Sequence, residues 1–113
     1  MSKRIGDAGR AAEKTLAKKL GMKLTPASGA ASSKGDMSDE RFLVEVKSTI
    51  KDTYSLSIQT LMKIHGEALM SGKLPAFVLL FTDPHGAPVR EGEWIAVPRW
   101  AWEQMEVKED ACQ

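Results

Sequence analysis

The stretch "GDMSDERFLVEVKST", residues 35–49, decides the fold. Successive side chains of a strand point to opposite faces. Phe42, Val44 and Val46 therefore share one face, and Leu43, Glu45 and Lys47 share the other. The run is apolar enough for a core strand, yet one face carries a carboxylate and an ammonium two residues apart. Charges seldom sit in such surroundings without a partner or a metal. The stretch also reads as a β-hairpin, with Gly35–Met37 a short strand, Ser38–Glu40 the turn and Arg41–Ser48 the long strand. That fold-back lets Asp36, at the end of one strand, approach Glu45 on the other. Two carboxylates at such range repel, and one must take up a proton unless a cation lies between them.

Working outward, "DAGRAAEKTLAKKL" (7–20) predicts a helix, with Asp7 as its cap and Gly21 just past its end. At 100° per residue, Gly9, Leu16, Ala17 and Leu20 fall within about 40° of Glu13. Glu13 is thus placed in the middle of the inward face, with Arg10, Lys14 and Lys18 beside it. "MKLT" (22–25) is a short strand and "PASGAASSKG" (26–35) a small, polar loop. Beyond the hairpin, Ile58, Leu61, Ile64, Ala68 and Leu69 have helical spacing over 56–71, and Gly72 ends that helix. "PAFVLLF" (75–81) predicts a central strand covered on both faces. "DPHGAPVREGE" (83–93) is turn-rich, "WIAV" (94–97) is a strand, and Pro98 opens a last helix over 98–105. Residues 106–113 are expected to form a frayed tail. The predicted order is α-β-β-β-α-β-β-α, an α/β single domain over 1–113 whose mixed sheet is flanked by helices.

The totals agree with one core: 113 residues, 42% hydrophobic and 27% charged. No run approaches the roughly 18 apolar residues that span a bilayer. The charged start lacks the apolar region of a secretory signal. Cys112 is the only cysteine, so no intrachain disulfide forms, and a reducing, cytoplasmic location without membrane partners is the expectation. The net charge of +1 conceals an asymmetry. Residues 1–51 hold 11 Lys/Arg against 6 Asp/Glu, and residues 52–113 hold 5 against 9. A basic half suggests a surface for a polyanion, although solvated helix lysines would give the same count.

Asp36 and Glu45 call for a hard cation. Mg²⁺, bound through a few carboxylates plus waters and substrate phosphate, is the natural candidate. The Val46 carbonyl offers a further oxygen, and Glu13 a third carboxylate. Lys47, on Glu45's face, would reach a metal-bound water or a phosphate, either helping to deprotonate the nucleophile or neutralising the transition state. The plainer readings are an exposed Glu45–Lys47 pair on an edge strand, worth well under ~1 kcal/mol, and a surface Glu13 paired with Lys14 or Lys18. Position argues against both, because Val44 and Val46 flank Glu45 and Glu13 is centred on an apolar face.

At this point "GD…(8)…EVK" resembles the PD-(D/E)xK nuclease signature, with Gly35 standing where that family often has Pro. The preceding helix with its inward Glu, the Ser/Gly loop and "EVKST" resemble the Holliday junction resolvases of archaea and some phages. The likeness runs through "SLSIQTLMKI" and "AFVLLF", covering roughly residues 5–82. It implies a restriction-endonuclease-like fold and a Mg²⁺-dependent endonuclease, with Mn²⁺ able to substitute, in a bacterial, archaeal or phage-infected cell. It implies a homodimer that resolves four-way DNA junctions by paired cleavage. By position it makes Glu13, Asp36 and Glu45 metal ligands together with Val46, and Lys47 the catalytic lysine. It makes Arg10, Lys14, Ser28, Ser32, Ser33, Lys34, Ser48 and Gln59 contacts to DNA.

Two alternatives stay open: a nuclease of the same kind acting on duplex ends or specific sites, and a non-catalytic DNA- or protein-binding module that uses the basic half for docking. His65 reads as a packed or surface histidine and His85 as exposed. No Cys/His spacing suits zinc. Trp94, Trp100 and Trp102 are expected mostly in the core, with one of Trp100 and Trp102 facing outward; that ring, or the edge of the "FVLLF" strand, is a candidate dimer contact.

Overall fold

A computed structural model describes residues 5–25 and 35–112, with side chains described over 12–25 and 35–105. Its elements run α1 (Ile5–Leu20), β1 (Lys23–Leu24), β2 (Met37–Ser38), β3 (Phe42–Thr49), α2 (Ile58–Met70), β4 (Leu74–Thr82), β5 (Pro88–Ala96) and α3 (Arg99–Cys112). The architecture is α/β: one five-stranded mixed sheet, ordered β1-β2-β3-β4-β5, flanked by helices. β3 and β4 are parallel, joined through α2, and every other neighbouring pair is antiparallel.

The alternation in residues 42–47 sorts the two layers. Val44 and Val46 join Ala12, Leu16 and Ala17 of α1 with Met37, Ala76, Val78 and Leu80 in the larger core. On the opposite face Leu43 packs with Ile64 and Ala68 of α2. α1 and α2 each terminate where the backbone turns left-handed. Gly21 (φ 68°) follows α1 while the Met22 N–H donates to the Ala17 carbonyl, and Gly72 (φ 69°) follows α2 while the Lys73 N–H donates to that of Ala68. At its start α2 is capped by Ser57, whose hydroxyl accepts the Thr60 N–H at 3.2 Å. In the hairpin turn the Asp39 carboxylate accepts the N–H groups of both Arg41 and Phe42, fixing the reversal into β3.

Three expectations need correction. The turn-rich stretch 83–93 supplies much of β5, because Glu91 takes φ 56° and Gly92 fits a close approach: a Cβ there would lie 2.6 Å from the Phe81 carbonyl oxygen. The chain thus bulges without leaving the sheet. The last helix runs past the expected 98–105 to Cys112, through residues rich in Glu, Lys and Ala. The tryptophans are not core residues. Trp94 and Trp102 are more than half exposed, Trp100 lies at the exposed boundary, and Ala101 between the last two is fully buried. None of the helices among the described residues is long and apolar enough to cross a membrane.

Candidate active site

Asp36 sits where three strands meet. Its N–H donates to the Val44 carbonyl at 2.7 Å, its own carbonyl accepts the Thr25 N–H at 2.9 Å, and its Oδ2 accepts the Val46 N–H at 2.7 Å. The carboxylate is thereby held against β3 beside Glu45. Gly35, just before it, has φ 64°, and a Cβ at that position would meet Leu43 Cγ at 2.9 Å and the Val44 carbonyl oxygen at 3.1 Å. The Gly35 N–H donates to Glu67 Oε1 on α2 at 3.1 Å. Proline has φ fixed near −65° and no N–H. This backbone therefore accommodates glycine where the nuclease signature often has proline.

Glu45 is only 9% exposed, and Lys47 Nζ stands 3.2 Å from its Oε2. The side chain of Lys47 is half-exposed, so the pair runs from the protein interior to solvent. Burial pushes the Glu45 carboxyl above its ordinary pKa and the charge of Asp36 adds to the rise, against opposition from Lys47 and Lys63. For Lys47, burial favours loss of the proton. The hydrogen bond to Glu45 and the charges of Glu45 and Asp36 outweigh it, and the ammonium is held above its ordinary pKa. Among the described residues every buried side-chain nitrogen and oxygen has a hydrogen-bond partner.

Asp36, Glu45 and Lys47 are thus brought together, as the hairpin reading expects. The Val46 side chain is core, while its main chain belongs to the site through the Asp36 bond. Glu13 is half-buried on α1, the helix covering the Val44/Val46 face, whereas Glu45 shares the other face with Leu43 and α2. Among the described residues no three acidic, histidine or cysteine side chains form a group able to hold a metal, so Glu13 does not complete one with Asp36 and Glu45. Lys14, Ser48 and Gln59 are exposed. Ser28, Ser32, Ser33 and Lys34, and the side chain of Arg10, lie outside the described residues.

Three residues that the sequence reading passed over border the site. Lys63 acts electrostatically on Glu45, Tyr54 acts on Lys47 while its ring contacts Phe77 at 6.3 Å, and Glu67 holds Gly35. Gln59, Lys63 and Glu67 are spaced by four, a polar stripe on α2. That spacing is visible in the sequence, but its direction depends on how α2 packs.

Two carboxylates on neighbouring strands, one of them resisting ionisation beside the other, form an oxygen donor set that suits a hard divalent ion. Asp36 Oδ2 accepts the Val46 N–H, and Glu45 Oε2 meets Lys47, so Asp36 Oδ1 and Glu45 Oε1 are the oxygens that could face a cation. A cation there would relieve the repulsion that raises Glu45's proton affinity. No family model matches the chain, and no curated protein is similar to it at a significant level.

Proposed function

We propose that the chain is a metal-dependent endodeoxyribonuclease of the PD-(D/E)xK kind, with a restriction-endonuclease-like fold, acting on branched DNA such as four-way junctions. The observation that carries this reading is the placement of Glu45: buried, resistant to ionisation, and set between the Asp36 carboxylate and the Lys47 ammonium. Acids whose proton affinity is shifted by burial and a specific charge partner concentrate at functional sites.

In this reading Asp36 and Glu45 would hold Mg²⁺ or Mn²⁺, with the Val46 carbonyl as a further oxygen. When bound, the ion would supply Lewis acidity and a water of lowered pKa. Hydrolysis adds water across the P–O ester bond: its oxygen goes to phosphorus, the bond to the leaving oxygen breaks, and that alkoxide takes up the proton that the water gives up. Lys47, whose Nζ stands 3.2 Å from Glu45 Oε2 and whose side chain reaches solvent, would stabilise charge on the phosphoryl oxygens in this reading. Binding to the DNA backbone should draw on the basic first half of the chain and weaken steeply with salt.

A homodimer belongs to the same reading, since paired cuts need two sites. The surface offered for it lies where Ile95 of β5 and Trp102 of α3, both more than half exposed, line one apolar hollow. The test is incubation with Mg²⁺ and a synthetic four-way junction, for which symmetric paired nicks are expected. Equal cutting of linear duplex would keep the nuclease and remove the junction preference. Absence of cutting with both Mg²⁺ and Mn²⁺ would overturn the reading in favour of a non-catalytic module.

A further inference from the structure

The bond between Glu67 and Gly35 joins α2 to the segment that presents Asp36, across 32 residues of sequence. β2 is only two residues long, so few ladder bonds fix the chain on its approach to β3. Asp36 spends both of its main-chain groups on neighbouring strands and one carboxylate oxygen on Val46. The backbone immediately before it is left-handed at Gly35, a conformation that glycine adopts freely and that nothing in its own side chain can hold. What anchors Gly35 from outside the sheet is the Glu67 carboxylate, supplied by a helix that also packs Ile64 and Ala68 against Leu43.

We propose that Glu67 is a positioning residue of the Asp36–Glu45–Lys47 site: by accepting the Gly35 N–H, it fixes the backbone from which the Asp36 carboxylate reaches β3. The inference rests on the metal-dependent nuclease reading for its functional consequence, but its structural half stands apart from that reading. A ligand's orientation depends on partners one bond further out, and losing such a partner typically costs about 10- to 100-fold in metal affinity or activity. Glu67 acts here through a main-chain N–H, so an uncharged side chain with an acceptor oxygen at the same place serves as well as the carboxylate.

The experiment compares the full chain with its Glu67→Ala and Glu67→Gln variants, using Mn²⁺ alone as the probe and calorimetric titration as the readout. Far-UV circular dichroism confirms that each variant is folded. Amide hydrogen exchange at Gly35 and Val46 is recorded in parallel. Glu67→Ala should weaken Mn²⁺ binding about 10-fold and accelerate exchange at both amides, whereas Glu67→Gln should remain within about twofold of the parent in both. Parental Mn²⁺ affinity and exchange in Glu67→Ala would overturn the inference. So would an equal loss in Glu67→Gln, which would make the charge rather than the hydrogen bond the working part. If the parent itself binds no Mn²⁺, the nuclease reading fails instead. Exchange at Gly35 and Val46 then decides the positioning role alone: faster exchange in Glu67→Ala supports it, and unchanged exchange removes it.

Discussion

The Asp36 carboxylate accepts the main-chain N–H of Val46 at 2.7 Å, ten residues along the chain and one strand over. This bond sets an acid beside a second acid. Val46 lies between Glu45 and Lys47, so a carboxylate fastened to its amide is also fastened to the neighbourhood of both charged side chains. The charge of Asp36 in turn disfavours ionised Glu45.

The first prediction concerns Glu45 and pH. Its proton affinity is higher in the folded chain than in the unfolded one. The stability gained from neutral Glu45 is therefore complete below the ordinary carboxylate pKa and lost as pH rises through the raised folded value. Glu45→Gln, which cannot ionise, should raise the melting temperature at pH 7 by about 2–6 °C and narrow the difference between pH 4 and pH 7. Cutting should fall by at least about 100-fold. Thermal melts at the two pH values, paired with a junction-cleavage assay, check both halves. A lowered melting temperature at pH 7 would mean that the ionised carboxylate is stabilised rather than strained.

Lys47 gives a second test, through the pH–rate profile. Its folded pKa is raised, so it stays protonated from neutral pH to beyond the ordinary lysine range. Its ion pair contributes stability that is present below the unfolded pKa and lost only as pH rises through the folded one. No limb in which activity grows with loss of the Lys47 proton should appear between pH 7 and 9. Lys47→Gln should lower cutting about 100-fold or more and leave junction binding largely intact in a gel-shift assay. An alkaline limb that disappears in Lys47→Gln would reassign the lysine as a base.

Gly35→Ala should destabilise the fold. The new methyl group would meet Leu43 Cγ at 2.9 Å, in a backbone conformation that non-glycine residues adopt at a cost. The expected loss is about 1–3 kcal/mol, read from the urea midpoint at unchanged slope. Gly21→Ala makes the comparison, since φ there is also positive but nothing stands within 4 Å of the added carbon. The cost at position 35 should exceed that at position 21.

A fourth prediction separates Glu13 from the two hairpin acids. Glu13 belongs to the helix that covers the opposite face of the sheet from Glu45. Glu13→Gln should change Mn²⁺ affinity less than Asp36→Asn or Glu45→Gln does, within about threefold of the parent against a loss of about 10-fold or more. Calorimetric titration ranks the three variants. An equal loss at Glu13 would bring it back as a ligand.

The hairpin is legible because a period of two is the strongest signal a short segment can carry. Phe42, Val44 and Val46 against Leu43, Glu45 and Lys47 named both the strand and its two neighbours before any helix was placed. β5 was not legible over its first residues. Pro88, Glu91 and Gly92 look like punctuation, and only the nearness of the Phe81 carbonyl shows that Gly92 serves a bulge inside a strand. The exposure of Trp94 was hidden for a different reason: residue type sets a preference for burial, whereas β5 lies at the sheet's outer edge. For the site, the pairing of Asp36 with Glu45 follows from hairpin geometry. The parts played by Lys63 and Glu67 follow from the packing of α2 on β3, and that of Tyr54 from the path between β3 and α2, neither of which a local pattern encodes.

The left-handed turn at Gly35 has a consequence for how this sequence can drift over generations. A proline at position 35 would take away the very hydrogen that Glu67 receives and would demand another path into β2. Positions 35 and 67 should accordingly be inherited as a couple. Lineages that carry proline at the first are expected to have released the second from its carboxylate, and those that keep the acid are expected to keep the glycine.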